Sequence, residues 1–452
     1  MTQLFKKVLI ANRGEIALRV LRACREMGIS TVAVHSTADH RAMHVRLADE
    51  SVCIGPAPAR ESYLNIQSIL AAAEITGADA IHPGYGFLAE NADFAQMVIE
   101  HGFTFIGPDP RHIRMMGDKI QAKTTVKTLD LPAVPGSDGP IASEAEAIEA
   151  VKSVGYPLLI KAVAGGGGRG MTIVRQESDF REALRMARHE AGNAFGDDRV
   201  YMERFLDHPR HIEFQVMGDM HGNVVHLGER DCSLQRRHQK LVEEAGSPVI
   251  DVATREKMGT RVVEAMKKLG YLGAGTIEFL YQDGEFFFIE MNTRIQVEHP
   301  VTELVTGIDL IREQIRVAAG QELSLRQDRL RFRGHAIECR INAEDVRTLM
   351  PAPGKVTTFH PPGGPGVRVD SAIYSGYTVP PHYDSLIAKL IVHDLDRERC
   401  LARLQRSLGE FVIDGIPSSI PLQSAILRTG DMREGRYDTG WLGRFLESWD
   451  GN

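Results

Sequence analysis

The chain is poor in cysteine, and its cysteines form no pattern. Cys24, Cys53, Cys232, Cys339 and Cys400 are scattered, odd in number and never arranged as CxxC. That spacing argues against a disulfide framework or a structural zinc site and for a reducing compartment. No apolar run reaches membrane-spanning length, and Met1–Lys7 carries no signal-type stretch before the first strand, so the cytoplasm is the expected location. An excess of basic charge is also missing: 53 Lys+Arg against 60 Asp+Glu leave a formal charge of -7, and nucleic acid is not an expected partner. There is no internal repeat and no low-complexity tail. What remains is an ordinary globular composition, 43% hydrophobic and 25% charged, over 452 residues, enough for two to four subdomains.

The first ~110 residues alternate strand and helix. Val8–Ala11, Thr31–Val34, Ala78–Ile81 and Phe103–Ile106 read as strands, and Ile16–Met27, Ile66–Ile75 and Ala92–Ile99 as helices. This order predicts a parallel sheet. After Pro110 the pattern changes. A polar helix over Ile120–Leu129 leads to the joint Pro132–Gly136, and Tyr156–Leu206 reads as strand, glycine loop, strand, helix, strand. Hairpins follow: Phe214–Met217 with Val224–Leu227, and Thr276–Leu280 with Glu285–Met291 around Asp283-Gly284. From Arg333 short strands, Pro/Gly turns and a helix over Arg397–Leu408 complete the chain.

Gly165, Gly167 and Gly170 satisfy GxGxxG, but Met171-Thr172-Ile173-Val174 follows as a strand where a dinucleotide fold needs a helix. No Lys-Ser/Thr follows the last glycine, which excludes a P-loop. A flap between two strands remains: a side-chain-free backbone able to close over phosphates, with Lys161 beneath it. An unpaired lysine in that apolar run is costly, and an anionic ligand would offset the cost.

The densest chemistry lies in Glu290-Met291-Asn292-Thr293-Arg294-Ile295-Gln296-Val297-Glu298, which issues from the apolar strand Phe286–Ile289. Buried charges are costly unless paired or bound to metal. Glu278 and Glu290, on two strands of one hairpin, repel unless a divalent ion lies between them, and Mg²⁺ with its preference for oxygen donors suits the pair. Asn292 could add a third oxygen. The two carboxylates share a face only if the hairpin parity is right, so an odd-length loop is expected in place of a two-residue Asp283-Gly284 turn.

Met116-Gly117-Asp118-Lys119, the glycine flap, Glu229-Arg230-Asp231-Cys232-Ser233, Gln235–Lys240, His82–Phe87, Gly334–Arg340 and Glu290–Pro300 together resemble the biotin carboxylase family over essentially the whole chain. The resemblance implies α/β and α+β domains in an ATP-grasp fold: an N-terminal parallel-sheet domain (1–115), an ATP-grasp domain (116–332) with a mobile glycine-loop lid at about 133–206, and a C-terminal domain (333–446). It implies that Lys119, Lys161, Gly166, Gly167 and Gly168 meet phosphates. Glu203 and the Leu206 backbone would meet adenine, with His211 and Gln235 near the ribose. Glu278, Glu290 and Asn292 would hold Mg²⁺ (or Mn²⁺). Lys240, Arg294, Gln296, Val297 and Glu298 would bind bicarbonate, with Glu298 the general base, and His238 and Lys240 would face the transferred phosphate. Arg340 would meet the biotin ureido oxygen. The implied reaction is ATP- and bicarbonate-dependent carboxylation of biotin on a carrier protein, through carboxyphosphate.

No biotinyl-lysine hairpin is expected here, since Glu264-Ala265-Met266-Lys267-Lys268 reads as ordinary helix. The biotin carboxyl carrier protein and the carboxyltransferase are therefore expected as partners or as parts of a longer protein, with acetyl-CoA the expected final acceptor. Arg19 and Glu26 match family dimer positions and imply a homodimer, although Pro365 stands where the family often has an aromatic. Another ATP-grasp ligase and a regulatory nucleotide-binding module are the rival readings. The full set Lys240, Glu278, Glu290, Arg294, Glu298 and Arg340 argues against the latter.

Overall fold

A computed structural model describes residues 4–137, 139–141, 143–164, 170–236, 239–449 and 451. Among them, Glu50–Gly55, Ser30–Ser36, Lys7–Ile10, Ala80–His82 and Thr104–Phe105 lie side by side, in that order, as a five-stranded parallel sheet. Val8, Leu9 and Ile10 are buried, as an apolar strand covered on both faces must be. The helix Gly14–Glu26 buries Ile16, Val20, Leu21 and Cys24 and leaves Arg22 and Arg25 outside. Chain order reverses beside the central strand Lys7–Ile10, and such a switch point opens a crevice at the strand ends. The two loops there are tied together: Asn12 Nδ2 donates to the carbonyls of Pro83 and Tyr85, each at 2.7 Å.

An eight-stranded sheet forms the middle of the molecule. Its order is Glu285–Asn292, Gly273–Gln282, Arg210–Gly218, Val224–Arg236, Gln239–Ala245, His335–Asn342, Leu386–Asp394 and Val367–Ser371. Every pairing in it is antiparallel. The ladder between Gln239–Ala245 and His335–Asn342 carries the sheet across residue 333. A separate antiparallel sheet, Met171–Val174, Leu158–Ala162 and Val200–Arg204, packs on the helix Phe180–Phe195 through Ile160, Phe180, Leu184 and Ala187.

The expected helices and strands of the first ~110 residues are present, and so is the strand, loop, strand, helix, strand order of 156–206. Sequence reasoning did not name the strand Glu50–Gly55, which buries only Ile54 and whose apolar run, Val52-Cys53-Ile54, is too short to mark it. Nor did it name the helices Ile420–Arg428, Gly430–Glu434 and Trp441–Ser448, which follow Arg397–Glu410. Residues 264–268 lie inside the helix Val252–Leu269, as expected.

The hairpin is a correction. Asp283 and Gly284, with φ of +52° and +84°, make a two-residue turn between Gln282 and Glu285, the conformation that Asp-Gly favours in a tight hairpin. The loop is therefore even. Parity is restored further along: Phe279 faces Phe288, but Glu278 faces Glu290, so Ile289 is an extra residue in a β-bulge. The carboxylates share a face through the bulge and not through the turn.

The helix Val252–Leu269 reaches the sheet through Gly259, where an added Cβ would stand 2.5 Å from the buried His226 ring. Gly259→Ala gains ~1 kcal/mol of helix propensity but overpacks the contact by roughly 1–3 kcal/mol. A net loss of stability is expected, read as a lower thermal midpoint; an unchanged or higher midpoint would show that the ring moves aside freely.

Candidate active site

One row of charge crosses four strands: Arg230 faces Glu213, Glu213 faces Glu278, and Glu278 faces Glu290. Like charges directly opposed are destabilising, and Glu213 and Glu278 are buried at 0% and 4% exposure. Cations offset the repulsion. Arg230 Nε donates to Glu213 Oε1 at 2.5 Å, and its other nitrogens are held by Gln215, Thr302 and Thr276 at 2.8, 2.9 and 3.2 Å. Lys240 Nζ then reaches three carboxylates at once: Glu213 at 2.5 Å, Glu298 at 2.7 Å and Glu278 at 2.9 Å. His211 Nε2 lies 3.0 Å from Glu278.

The electrostatics follow from burial and these partners. Burial alone would raise Glu213 and Glu278, but Lys240, with Arg230 for the first and His211 for the second, holds both below the usual carboxylate range. Burial would lower His211, yet Glu278 pushes it up to about 9, so its ring is a cation at neutral pH. Glu298 is held below its ordinary value against its burial, by Lys240 and then Arg340. Lys240 holds one of its oxygens, and Arg340 Nη2 lies 2.9 Å from the other.

The run 293–298 is not helical, and Arg294 does not pair with Glu298. Arg294 Nε donates to Glu90 Oε2 at 2.7 Å, and the Thr293 amide donates to the other Glu90 oxygen at 3.1 Å. Arg294 also donates to Gln296 Oε1 at 2.7 Å and Asn292 Oδ1 at 2.8 Å. The amides of Asn292 and Gln296 in turn donate to Glu278 Oε1, at 2.8 and 3.0 Å. The Val297 carbonyl accepts from the buried Lys389 at 2.8 Å, and Lys389 pairs with Glu15 from the crevice of the parallel sheet at 3.1 Å. Three parts of the chain thus converge on one loop.

Ten expected residues therefore meet on this face: His211, Lys240, Glu278, Glu290, Asn292, Arg294, Gln296, Val297, Glu298 and Arg340. Gln235 is the cross-strand partner of Lys240 and is buried beside them. Lys161, Glu203 and Leu206 lie on or after the separate three-stranded sheet. Lys161 Nζ pairs with Glu203 Oε2 at 2.5 Å, and Lys123 also contacts Glu203. The charge of Lys161 is thus offset within the chain, and burial alone does not demand an anionic ligand for it. Gly166, Gly167, Gly168, His238 and the side chain of Lys119 lie outside the described residues. Oxygen donors at Glu278 and Glu290, directly opposed, fit a hard divalent cation, but the Asn292 oxygen offered as a third donor here accepts from Arg294.

Sequence reasoning did not name Glu213, Glu243, Glu90, Glu15 or Lys389. The signal for Glu213 was available: a lone carboxylate in Ile212-Glu213-Phe214 breaks an apolar strand as Glu278 does in its own. Glu90 sits in a loop and Glu15 in the first turn of the helix Gly14–Glu26, and an acidic residue is unremarkable by pattern in either place.

Strands bearing paired carboxylates beneath a buried lysine, joined to a smaller antiparallel glycine-loop unit, define the ATP-grasp class. Residues 4–113 match the family described as biotin carboxylase, N-terminal domain; residues 118–326 match the carbamoyl-phosphate synthase L chain ATP-binding domain; residues 338–444 match the biotin carboxylase C-terminal domain. The chain is 59% identical to a biotin carboxylase of Allochromatium vinosum over 447 residues (99% of this chain, 100% of the relative). It is 57% identical to one of Pseudomonas aeruginosa over 444 residues (98% and 99%). The biotin carboxylase domain of Hydrogenobacter thermophilus 2-oxoglutarate carboxylase, a dimer in complex with MgADP, ADP and bicarbonate, superposes with a TM-score of 0.91 at 49% identity, covering 99% of each chain. The Campylobacter jejuni biotin carboxylase superposes at 0.92 and 48%, covering 97% of this chain and 99% of that one. The chain belongs to the biotin carboxylase family of ATP-dependent ligases, the biotin-carboxylating component of biotin-dependent carboxylases.

Lys240→Met would leave Glu213, Glu278 and Glu298 without their shared ammonium. Stranding buried charges costs about 3–5 kcal/mol. Since the carboxylates are held below their ordinary values by Lys240, the loss should be full above pH ~5 and shrink as pH falls and they take up protons. Denaturant melts of both proteins at neutral and acidic pH check this; a loss independent of pH would contradict the charge assignment.

Proposed function

We propose that the chain carboxylates biotin carried on a biotin carboxyl carrier protein, using ATP, Mg²⁺ and bicarbonate, as the first half-reaction of an acetyl-CoA carboxylase in the cytoplasm. The observation that carries the reading is Glu298: a wholly buried carboxylate, ionised, with one oxygen on Lys240 and the other on Arg340. Acetyl-CoA is taken as the final acceptor because the relatives at 57–59% identity, matched over nearly their full length, are named simply biotin carboxylase; pyruvate, propionyl-CoA and other acyl-CoA acceptors are the alternatives.

Bicarbonate is a weak nucleophile, and Glu298 removes its proton. When bicarbonate and the triphosphate arrive, Lys240 and Arg340 are shared with those anions, and the hold that keeps Glu298 acidic relaxes toward greater basicity. The deprotonated oxygen attacks the γ-phosphorus, ADP leaves, and carboxyphosphate forms. Bound Mg²⁺, held by Glu278 and Glu290 with Asn292 beside them, supplies neutralisation of the phosphate oxygens. Lys240, Lys161 and Lys119 add positive charge there and His238 faces the transferred phosphate, while Arg294, Gln296 and Val297 orient bicarbonate. Carboxyphosphate breaks down to CO₂ and phosphate. Phosphate takes the biotin N1 proton, Arg340 stabilises the negative ureido oxygen, and N1 attacks CO₂. Water must stay out, so the unit at about 133–206 acts as a closing lid, with Gly166, Gly167 and Gly168 for the phosphates and Glu203 and Leu206 for the adenine, while His211 and Gln235 of the large sheet meet the ribose.

We also infer a homodimer, as in the Hydrogenobacter domain. Arg19 is spent inside the chain on Glu303 and Asp309, at 2.8 and 2.7 Å. Glu26 and its partner Arg312 stay at the surface for such a contact.

Free biotin should raise the rate of Mg²⁺- and bicarbonate-dependent ATP hydrolysis; hydrolysis indifferent to biotin would contradict the reading. Glu298→Gln should lower that rate by about 10²–10⁴-fold, the usual contribution of a general base, while ATP binding persists. Normal turnover in the variant would remove Glu298 from the role.

A further inference from the structure

Behind Arg340 lie two buried carboxyl groups that the reaction above does not use. Glu243 and Glu338 are direct cross-strand partners on Gln239–Ala245 and His335–Asn342, and both are 0% exposed. Glu243 Oε1 accepts from Arg340 Nε at 2.5 Å, while Arg340 Nη2 donates to Glu298 Oε2 at 2.9 Å. The guanidinium is thus strapped between Glu243 and the catalytic base. The second oxygen of Glu243 and both oxygens of Glu338 accept no hydrogen bond from the described residues.

Two facing buried carboxylates with a single donor between them, Arg340 on Glu243, are not stable as two anions, because burial penalises each charge and each raises the other. One proton between them removes the repulsion and supplies a donor. We propose that Glu243 and Glu338 share one proton, Glu338 standing as a neutral carboxylic acid, and that the pair is a positioning element that fixes Arg340 for its substrate. The directions of titration agree: burial, then the neighbouring carboxylates, push Glu338 well above the carboxylate range and Glu243 up to about 7, against the pull of Arg340 and, for Glu338, of Lys389.

The charge arithmetic explains the use. Arg340 already faces two carboxylates, and a third anion behind it would draw it back and leave nothing for an incoming ligand. A neutral Glu338 keeps the guanidinium forward. The role in biotin binding rests on the function proposed above, but the shared proton does not.

Two measurements therefore separate them. Infrared spectra of the nucleotide-free protein at neutral pH should show a protonated-carboxyl C=O stretch that shifts in D₂O and is absent in Glu338→Gln. Absence of that band in the unsubstituted protein overturns the proposal whatever biotin does. In kinetics, Glu243→Gln weakens a charge-assisted hydrogen bond to Arg340 and should raise the biotin KM by about tenfold, with a smaller effect on biotin-independent ATP hydrolysis. An unchanged biotin KM, or an equal fall in both activities with KM constant, overturns the positioning role. If biotin fails to stimulate the unsubstituted protein while the infrared band is present, the biotin reading falls and the shared proton stands.

Discussion

One ammonium group organises the site. Lys240 sits within 3 Å of Glu213, Glu278 and Glu298, and without it three buried anions would crowd one face of a sheet. Charges out of water persist only with excellent geometry and further hydrogen bonds. Both conditions are met here: Arg230 closes the row on one side, His211 covers Glu278, and Arg340 covers Glu298. The arrangement holds its carboxylates below their ordinary range against the pull of burial.

That cluster depends on a sheet that joins distant parts of the chain. Glu213, Glu278 and Lys240 come from one stretch, Arg340 and Lys389 from another, Glu15 from the first turn of the helix Gly14–Glu26 and Glu90 from a loop beside the parallel sheet. Lys389, buried at 0% exposure, holds the Val297 carbonyl one residue before Glu298. A segment that is neither helix nor strand is thereby fixed from three sides. Such support from packed and hydrogen-bonded neighbours fixes side-chain positions more closely than a free loop could.

Much of this was legible. Apolar periodicity located the parallel sheet, the glycine loop was assigned to a strand-loop-strand unit because a strand follows it, and the dense polar run marked the site. Two lessons are physical. Uniform pairing would need an odd-length loop to bring Glu278 and Glu290 to one face, whereas the molecule uses the two-residue Asp283-Gly284 turn with a bulge at Ile289. Bulges leave little trace in sequence because their cause is lateral packing. The cost of a buried Lys161 was read as demanding a ligand, whereas Glu203, on the neighbouring strand, meets it. Charge compensation between strands is tertiary information, and the same holds for Glu243, Glu338 and Lys389, whose partners are distant in sequence.

The account turns on Glu298 making bicarbonate, and not water, the nucleophile toward ATP. The most direct measurement follows oxygen. ATP hydrolysed in ¹⁸O-labelled bicarbonate, quenched before exchange with water and analysed by mass, should release phosphate carrying an oxygen from bicarbonate, because the P–O bond formed in carboxyphosphate survives its breakdown to CO₂. Unlabelled phosphate, released at the same rate, would show that water attacks the nucleotide and would contradict the central claim.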